Sequence, residues 1–376
     1  MKYKFGEIAY NITEKRAPKP EDRFKYIGLE HLDSGSLYVN RYGLDVQIKG
    51  DKLIMHKGDI LLGKRNAYLR RAAIAPHDGL FSAHGMILRP KEDVVTSRFF
   101  PFFVASDKFF DEVIRISVGG LSPTVNWKDL KELEFDLPSL AEQKVLAEKL
   151  WAAYEVKQSY LKMIEATEEM VKSQFIEMFG KVDSDRLLLS DIADVSSGLT
   201  KNSQRVSFEL KMPYLRVANV FYNKLELDDI QEIGVRPQEI EKTKLQENDL
   251  LFVEGNGSPQ EIGRVAIWDG SINPILHQNH IIKARLKISS FSPAFLMYFF
   301  MYGQGRSQIV RKAASSSGLY TLSLNKIASL QVPAVELEFQ QQFVSIAHQA
   351  DKSISELRKS IDAIDKVIKS LINEKL

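Results

Sequence analysis

The 376-residue chain contains no cysteine. That excludes a disulfide framework and a thiolate metal site, and it suits a cytoplasmic protein. No run approaches the roughly 20 apolar residues of a membrane span. The N-terminal MKYKFGEIAYNITEKR lacks the apolar core of a signal peptide. An excess of charge of one sign is also missing: 51 Lys and Arg face 49 Asp and Glu, for a net charge of +2. Any nucleic-acid surface must therefore be local and balanced by acidic regions elsewhere. A hydrophobic content of 44% and a charged content of 27% fit a soluble globular protein. The length predicts two or three domains rather than one core.

Recognisable catalytic chemistry is equally scarce. Gly58 to Lys64 has the G-x-x-x-x-G-K spacing of a phosphate loop, but Arg65 stands where the metal-binding Ser or Thr belongs. The interior Asp-Ile-Leu-Leu reads as a strand, not a glycine cradle. No two of the seven histidines have metal-pair spacing on a helix. His277 and His280 could ligate a metal, but no carboxylate pattern accompanies them. Glu142 with Lys144 and Glu155 with Lys157 have the Glu-x-Lys spacing of nuclease sites, on segments where solvated charge explains them. Asn273-Pro274-Ile275 is not the Asn-Pro-Pro-aromatic motif of an amino-methyltransferase. There is no nucleophile elbow and no dinucleotide fingerprint.

The most informative absence is local. From Ser139 to Gly180 there is no proline, and no glycine until the last residue, which predicts one long helix. Its apolar seam at steps of three and four includes Leu146, Leu150, Tyr160, Ile164 and Val171. A cleaner seam recurs near the C-terminus in Phe343, Ile354, Leu357, Ile361, Ile364, Ile368 and Leu371. Phe343 minus Leu146 is 197, and Leu371 minus Gln174 is also 197. The same long helix thus occurs twice. Each copy carries an apolar stripe that needs cover, and the simplest cover is the other copy.

The segments before the two helices also match. Residues 1–138 read as β-rich, with strand-like runs at Phe24 to Leu29, Leu37 to Val39, Asp59 to Leu62 and Met86 to Leu88. A helix is expected from Ser97 to Ile116. Its Phe99, Phe100, Phe102, Phe103, Phe109 and Phe110 lie at helical spacing beside no basic run, which favours core packing over base stacking. Lys181 to Arg186 is a short charged linker. In the second segment Tyr214 to Val217 answers Tyr26 to Leu29, Asn248 to Phe252 answers Gly58 to Leu62, and Thr321 answers Thr124. The matched positions are mostly apolar and the residues between them diverge. That is the pattern of one scaffold carrying two reading surfaces, with an internal pseudo-two-fold repeat.

Basic, amide-rich loops occupy these divergent places. In the first segment they hold Lys15, Arg16, Lys19, Lys64, Arg65, Asn66, Arg70 and Arg71. In the second they hold Lys201, Asn202, Arg205, Asn256, Gln260, Arg264, Gln278 and Asn279. Arg and Lys read guanine and Asn and Gln read adenine in the major groove, and the cations also hold phosphates. Arg65 is the expected reader and Lys64 the expected phosphate holder. The same residues also fit two other readings: an enzyme with an unrecognised site, or a coiled-coil adaptor that binds only protein.

The chain resembles the specificity (S) subunit of type I restriction-modification systems. The resemblance rests on Leu137-Pro-Ser-Leu-Ala-Glu-Gln143 entering the first long helix and Lys172-Ser-Gln-Phe-Ile-Glu-Met-Phe-Gly180 closing it. The second copy has Val332-Pro333, Gln340-Gln-Gln-Phe343 and Lys369-Ser-Leu-Ile372. It departs by two extra residues after the proline and by the missing Phe-Gly. The resemblance implies an α+β fold with two β-rich target-recognition domains, at 1–138 and 181–335. Two long antiparallel coiled-coil helices, at 139–180 and 336–376, join them. It implies a non-catalytic partner of double-stranded DNA, two methyltransferase (M) subunits and motor-nuclease (R) subunits. S-adenosylmethionine, ATP and Mg2+ would belong to those partners.

Overall fold

The computed structural model describes residues 1–45, 47–182, 184–313, 318–374 and 376. Asp183, inside the expected linker, lies outside the described residues. The chain gathers into two compact units, Met1–Lys162 with Leu357–Leu376, and Met163–Glu356. Each therefore contains one β-rich segment and part of both long helices.

In the first unit the apolar run Ile60–Leu62 is the buried centre of a four-stranded antiparallel sheet. Met86–Pro90 lies on one side of it, then Ala9–Ile12, and Ala72–Ile74 lies on the other. A strand with both faces covered is apolar throughout rather than alternating. A second sheet joins Lys15–Arg16, Lys52–Met55 and Gly79–Phe81. Lys2–Lys4 pairs with Glu134–Asp136 and brings the two ends of the segment together.

The second unit repeats this plan. Leu250–Val253 is central, between Ile281–Leu286 and Val265–Ile267, and Ala193–Ser197 is at the edge. Lys211–Leu215 joins Gln231–Gly234 and Leu276–His277, and Arg186–Leu188 pairs with Gln331–Pro333. The duplication reaches single hydrogen bonds. Gly58 and Asn248 both have positive φ, at 94° and 72°, before the aspartates that open the two central strands. Those aspartates, Asp59 and Asp249, are buried and each binds one arginine, Arg89 at 2.8 Å and Arg285 at 2.7 Å.

Three expected elements are corrected. Phe24 to Leu29 is not a strand. Short 3-10 turns at Pro20–Phe24 and Leu29–His31 flank a single parallel bridge from Ile27 to Phe81. The Gly28 amide donates to His31 Nδ1 at 3.0 Å, which favours the turn. Its counterpart, Val217–Asn219, is a 3-10 turn too, and there the Arg216 amide donates to Asn219 Oδ1 at 2.8 Å. The helix expected from Ser97 to Ile116 is two helices, Phe100–Val104 and Asp107–Arg115. Ser106 divides them: its hydroxyl donates to the Phe103 carbonyl at 2.6 Å and accepts from the Phe109 amide at 3.2 Å. Leu37 to Val39 contributes only a bridge from Tyr38 to Ile74. All six phenylalanines of this region are core residues.

The long helices are Leu140–Phe179 and Leu337–Asn373. In the second unit the Phe175 ring lies 5.1 Å from Phe343 and the Phe179 ring 5.0 Å from Phe339, so the helices run antiparallel. In the first unit Lys157 Nζ reaches the Asp365 carboxylate at 2.7 Å. The predicted seam residues are all buried or half-buried. Five further buried residues of the first helix, Gln143, Ala147, Tyr154, Phe175 and Phe179, lie off that seam. Near its ends the helix packs on the β-rich cores as well as on its partner. The buried stripe then follows the 3.6-residue helical period rather than the 3.5 of a coiled coil.

Candidate nucleic-acid interface

The loop after each central strand is built on a rigid frame. In the first unit the Gly63 amide donates to Arg71 O at 2.9 Å, and the Lys64 carbonyl accepts from the Val125 amide at 3.0 Å. Arg65 bridges Thr124. Asn66 then adopts a left-handed conformation, φ 56°, and its amide donates to Pro123 O at 2.7 Å. A 3-10 turn, Ala67–Leu69, leads to a second left-handed residue, Arg70. Asparagine tolerates this region better than most residues, so Asn66 suits the turn. Its Oδ1 is buried without a partner among the described residues.

The candidate cations divide into two groups. Several are spent within the fold. Arg16 forms a two-point pair with Asp22, at 2.6 and 2.7 Å. That pairing holds the Asp22 carboxyl below its usual range and raises Arg16. Arg70 ties to Asp107 at 2.9 Å and to Asp111 at 2.5 Å, and Arg71 donates to Leu29 O at 3.1 Å. Arg205 pairs with both oxygens of Glu239 and also donates to Thr200 O and Gly234 O. Arg264 is buried, lies 4.7 Å from the centre of the Phe221 ring and donates to Val217 O. A guanidinium with its fork occupied, as in Arg16, Arg70 and Arg205, cannot also make a bidentate contact to guanine; Arg71 makes a single bond through one nitrogen.

Lys15, Lys19, Lys64, Arg65 and Lys201 form the other group: among the described residues none has a side-chain ion pair, and only the Lys19 backbone amide meets an acid, Asp22, at 2.6 Å. Arg65 is exposed, with one side-chain contact, to Ser122 Oγ at 3.3 Å. Lys64 is half-buried and lines a concavity with Lys15. Burial, and after it the Lys15 charge, pushes the Lys64 pKa down.

The amide candidates of the second unit are partly engaged in shaping loops. Asn202 Oδ1 accepts from the Arg205 amide at 3.2 Å. Asn256 Oδ1 accepts from the Ser258 amide at 3.0 Å, and Gln260 Oε1 from the Ser258 hydroxyl at 2.8 Å, so one serine joins the two. Gln278 and Asn279 are half-exposed, on a segment that bridges Leu199 beside Lys201 and Asn202.

Two arrangements were missed in the sequence. Glu254 Oε2 lies 2.6 Å from His280 Nδ1, a pairing 26 residues apart. Arg306 donates to the carbonyls of Pro259 and Gln260, each at 2.8 Å, and to that of Ile262. The match of Asn248-Asp249 to Gly58-Asp59 aligns Glu254 with Lys64 and could have drawn attention to it. Nothing in the sequence marks Arg306. Among the described residues no group of three or more His, Asp or Glu could hold a metal ion, and no helix is long and apolar enough to cross a membrane.

A family model described as the type I restriction modification DNA specificity domain matches residues 2–164 and 182–366. The EcoKI specificity subunit of Escherichia coli K12 is 24% identical over 325 residues, covering 79% of this chain and 66% of that protein. The StySPI specificity subunit of Salmonella potsdam is 23% identical over 323 residues, with 79% and 68% covered. The chain thus spans about two-thirds of the length of these relatives. The crystal structure of a type I S subunit from M. genitalium superposes with a TM-score of 0.55 at 14% identity, covering 99% of this chain and 94% of that one. A chain from a structural study of type I R-M assembly and conformational transition gives a TM-score of 0.56 at 16% identity, covering 100% and 97%. With the family match falling on both halves of the duplicated scaffold, the chain belongs to the type I restriction-modification DNA specificity family.

Proposed function

We propose that the chain is the DNA-reading subunit of a type I restriction-modification complex. Each β-rich domain reads one half of a split target, and the paired long helices set the gap between the halves. The chain itself is non-catalytic. It recruits two methyltransferase subunits, which use S-adenosylmethionine, and motor-nuclease subunits, which use ATP and Mg2+. It acts on double-stranded DNA in the cytoplasm. One observation carries this reading: a single scaffold is built twice, down to individual hydrogen bonds, while the loops it displays differ in charge and chemistry. A 40-residue helix extends about 60 Å at 1.5 Å per residue. DNA rises about 3.4 Å per base-pair step, so such a helix is long enough to skip several pairs.

The test is to sequence, with methylation detection, DNA from cells carrying this chain and its methyltransferase partners. Two short motifs separated by a constant gap are expected. Inserting one heptad near Ile164 and one near Ile361 keeps the seams in phase. It is expected to lengthen the gap and leave both motifs unchanged. A modified complex that still methylates DNA with the original gap overturns the ruler. A complex that shows no salt-sensitive DNA affinity supports the protein-only adaptor instead.

A further inference from the structure

The two copies of the scaffold can be aligned bond for bond around the concavity that Lys64 lines. The Lys64 carbonyl accepts from Val125 and the Glu254 carbonyl from Leu322, at 3.0 and 2.7 Å. The preceding amides, of Gly63 and Val253, donate to Arg71 and Arg264. Lys64 and Glu254 are therefore the same scaffold position. In the edge strands Ile12 pairs with Ile87, and Ser196 with Lys283. Ile87 and Lys283 in turn face the equivalent Leu61 and Leu251. Three residues on from Ile12 and Ser196 stand Lys15 and Leu199. Where the first domain has two lysines, the second has a leucine and a glutamate, and that glutamate is paired with His280.

The first-domain concavity measures about 220 Å3 and is lined by Asn11, Thr13, Lys15, Lys64, Asn126 and Trp127 among others, with no carboxylate among the described residues of its wall. Small-molecule pockets begin at about 300 Å3, so the space suits one charged group rather than a whole nucleoside. Lys64 is half-buried and loses hydration, Lys15 is exposed at the rim, and the two like charges repel each other. A fold that keeps both in place without an acid has left room for an anion from outside. Asn and Thr side chains in the wall supply further donors to such an anion.

We propose that Lys15 and Lys64 form a phosphate-holding pocket for the DNA backbone, and that it is present in the first recognition domain only. The proposal rests on the DNA-reading function above. The pocket anchors the first domain in register on the duplex and carries no base preference, because phosphate contacts position rather than specify. Burial and the Lys15 charge hold the Lys64 pKa down, and a bound phosphate would act in the opposite direction, favouring the charged ammonium.

The experiment measures binding of the full chain with its methyltransferase partners to a random-sequence DNA duplex over a series of salt concentrations. Lys64→Gln, Lys15→Gln, Lys64→Arg and Glu254→Gln are compared. Each lost phosphate contact lowers the salt slope by about 0.9, or roughly a 3- to 4-fold smaller fall in affinity between 50 and 200 mM salt. Lys64→Gln and Lys15→Gln are each expected to show that loss on every duplex, Lys64→Arg to retain the slope, and Glu254→Gln not to lower it. Removing a half-buried cation is not expected to unfold the domain, and thermal unfolding of the variants checks this. Lys64 is also probed by acetylation, with DNA or with inorganic phosphate at equal ionic strength. Protection by DNA alone supports the proposal, and equal protection by inorganic phosphate overturns its assignment to DNA. An unchanged slope in both glutamine variants, with wild type binding the duplex, overturns the pocket while leaving the DNA-reading function intact. Failure of the wild-type complex to bind any duplex overturns that function and the pocket together.

Discussion

Two glutamines 197 positions apart, Gln143 and Gln340, are completely buried near the starts of the long helices. Gln143 accepts from the Thr96 amide and donates to Val94 O and Pro138 O. Gln340 accepts from Ser292 and donates to Ser290 O and Val335 O. Each ties the entry of a long helix to its own β-rich domain. Gln143→Leu leaves three backbone groups unpaired, and a loss of roughly 2–4 kcal/mol in denaturant unfolding is expected. His277 offers a second test at this scale. It is fully buried, with Nδ1 2.8 Å from Thr243 O. Burial, and then the neighbouring Lys283 charge, lowers its pKa to about 4. The unfolded chain, with histidine near 6.5, takes up this proton before the folded one does. Stability is therefore full above pH 6.5 and falls as the pH drops towards 4, by about 3 kcal/mol from this group. An NMR titration is expected to place the His277 midpoint near 4, and a midpoint near 6.5 contradicts the burial argument.

The post-strand loops are each clamped by a guanidinium, but from opposite directions. In the first domain Arg70 sits on the loop and binds Asp107 and Asp111 of the following helix. In the second, Arg306 sits on the helix Gly303–Lys312 and binds loop carbonyls at 259, 260 and 262. Tyr222 adds a hydroxyl to Gln260 O at 2.8 Å, and burial raises its pKa to about 12, so it remains a donor. These groups hold the loops that carry Asn66, Asn256 and Gln260. Hydrogen bonds to a charged donor are worth about 1.5–3 kcal/mol. Arg306→Ala is expected to speed amide exchange at Glu261 and Ile262 by roughly 10-fold or more. Exchange around Arg70 should not change. Unaltered exchange at 261 and 262 shows that the loop holds itself.

At the scale of the molecule, duplication separates what must be constant from what is free to vary. The buried strands, the Asp–Arg pairs and the entry glutamines recur; the charge of the loops does not. Exchanging Arg186 to Pro333 for the same region of a relative is expected to change one half of the recognised target and leave the other unchanged. The exchange keeps the strands that close the segment, because Arg186–Leu188 pairs with Gln331–Pro333 and both travel together. Methylation sequencing reads the outcome. Altered recognition in both halves, from a complex that folds and methylates, contradicts independent readers.

Long-range periodicity was legible in the chain because helices and buried strands are written in local pattern. The absence of proline and glycine, the heptad seam and the offset of 197 determined two long helices before any coordinate, and the matched apolar runs determined a repeated β-rich unit. The apolar runs at Asp59 to Leu62 and Asn248 to Phe252 announced strands for the same reason, and only the sheet order made them central. Turns held by a single side chain, such as His31 on Gly28 or Ser106 between its two helices, depend on one hydrogen bond and leave no periodic trace. Charge state was less legible still. Arg16, Arg70, Arg205 and Arg264 look as available in the sequence as Lys64 and Arg65, but partners 6 to 47 residues away occupy them. A side chain's availability depends on which distant groups the fold sets within about 3 Å of it. Pattern decided where the divergent loops lie; packing decided which of their charges are occupied within the fold.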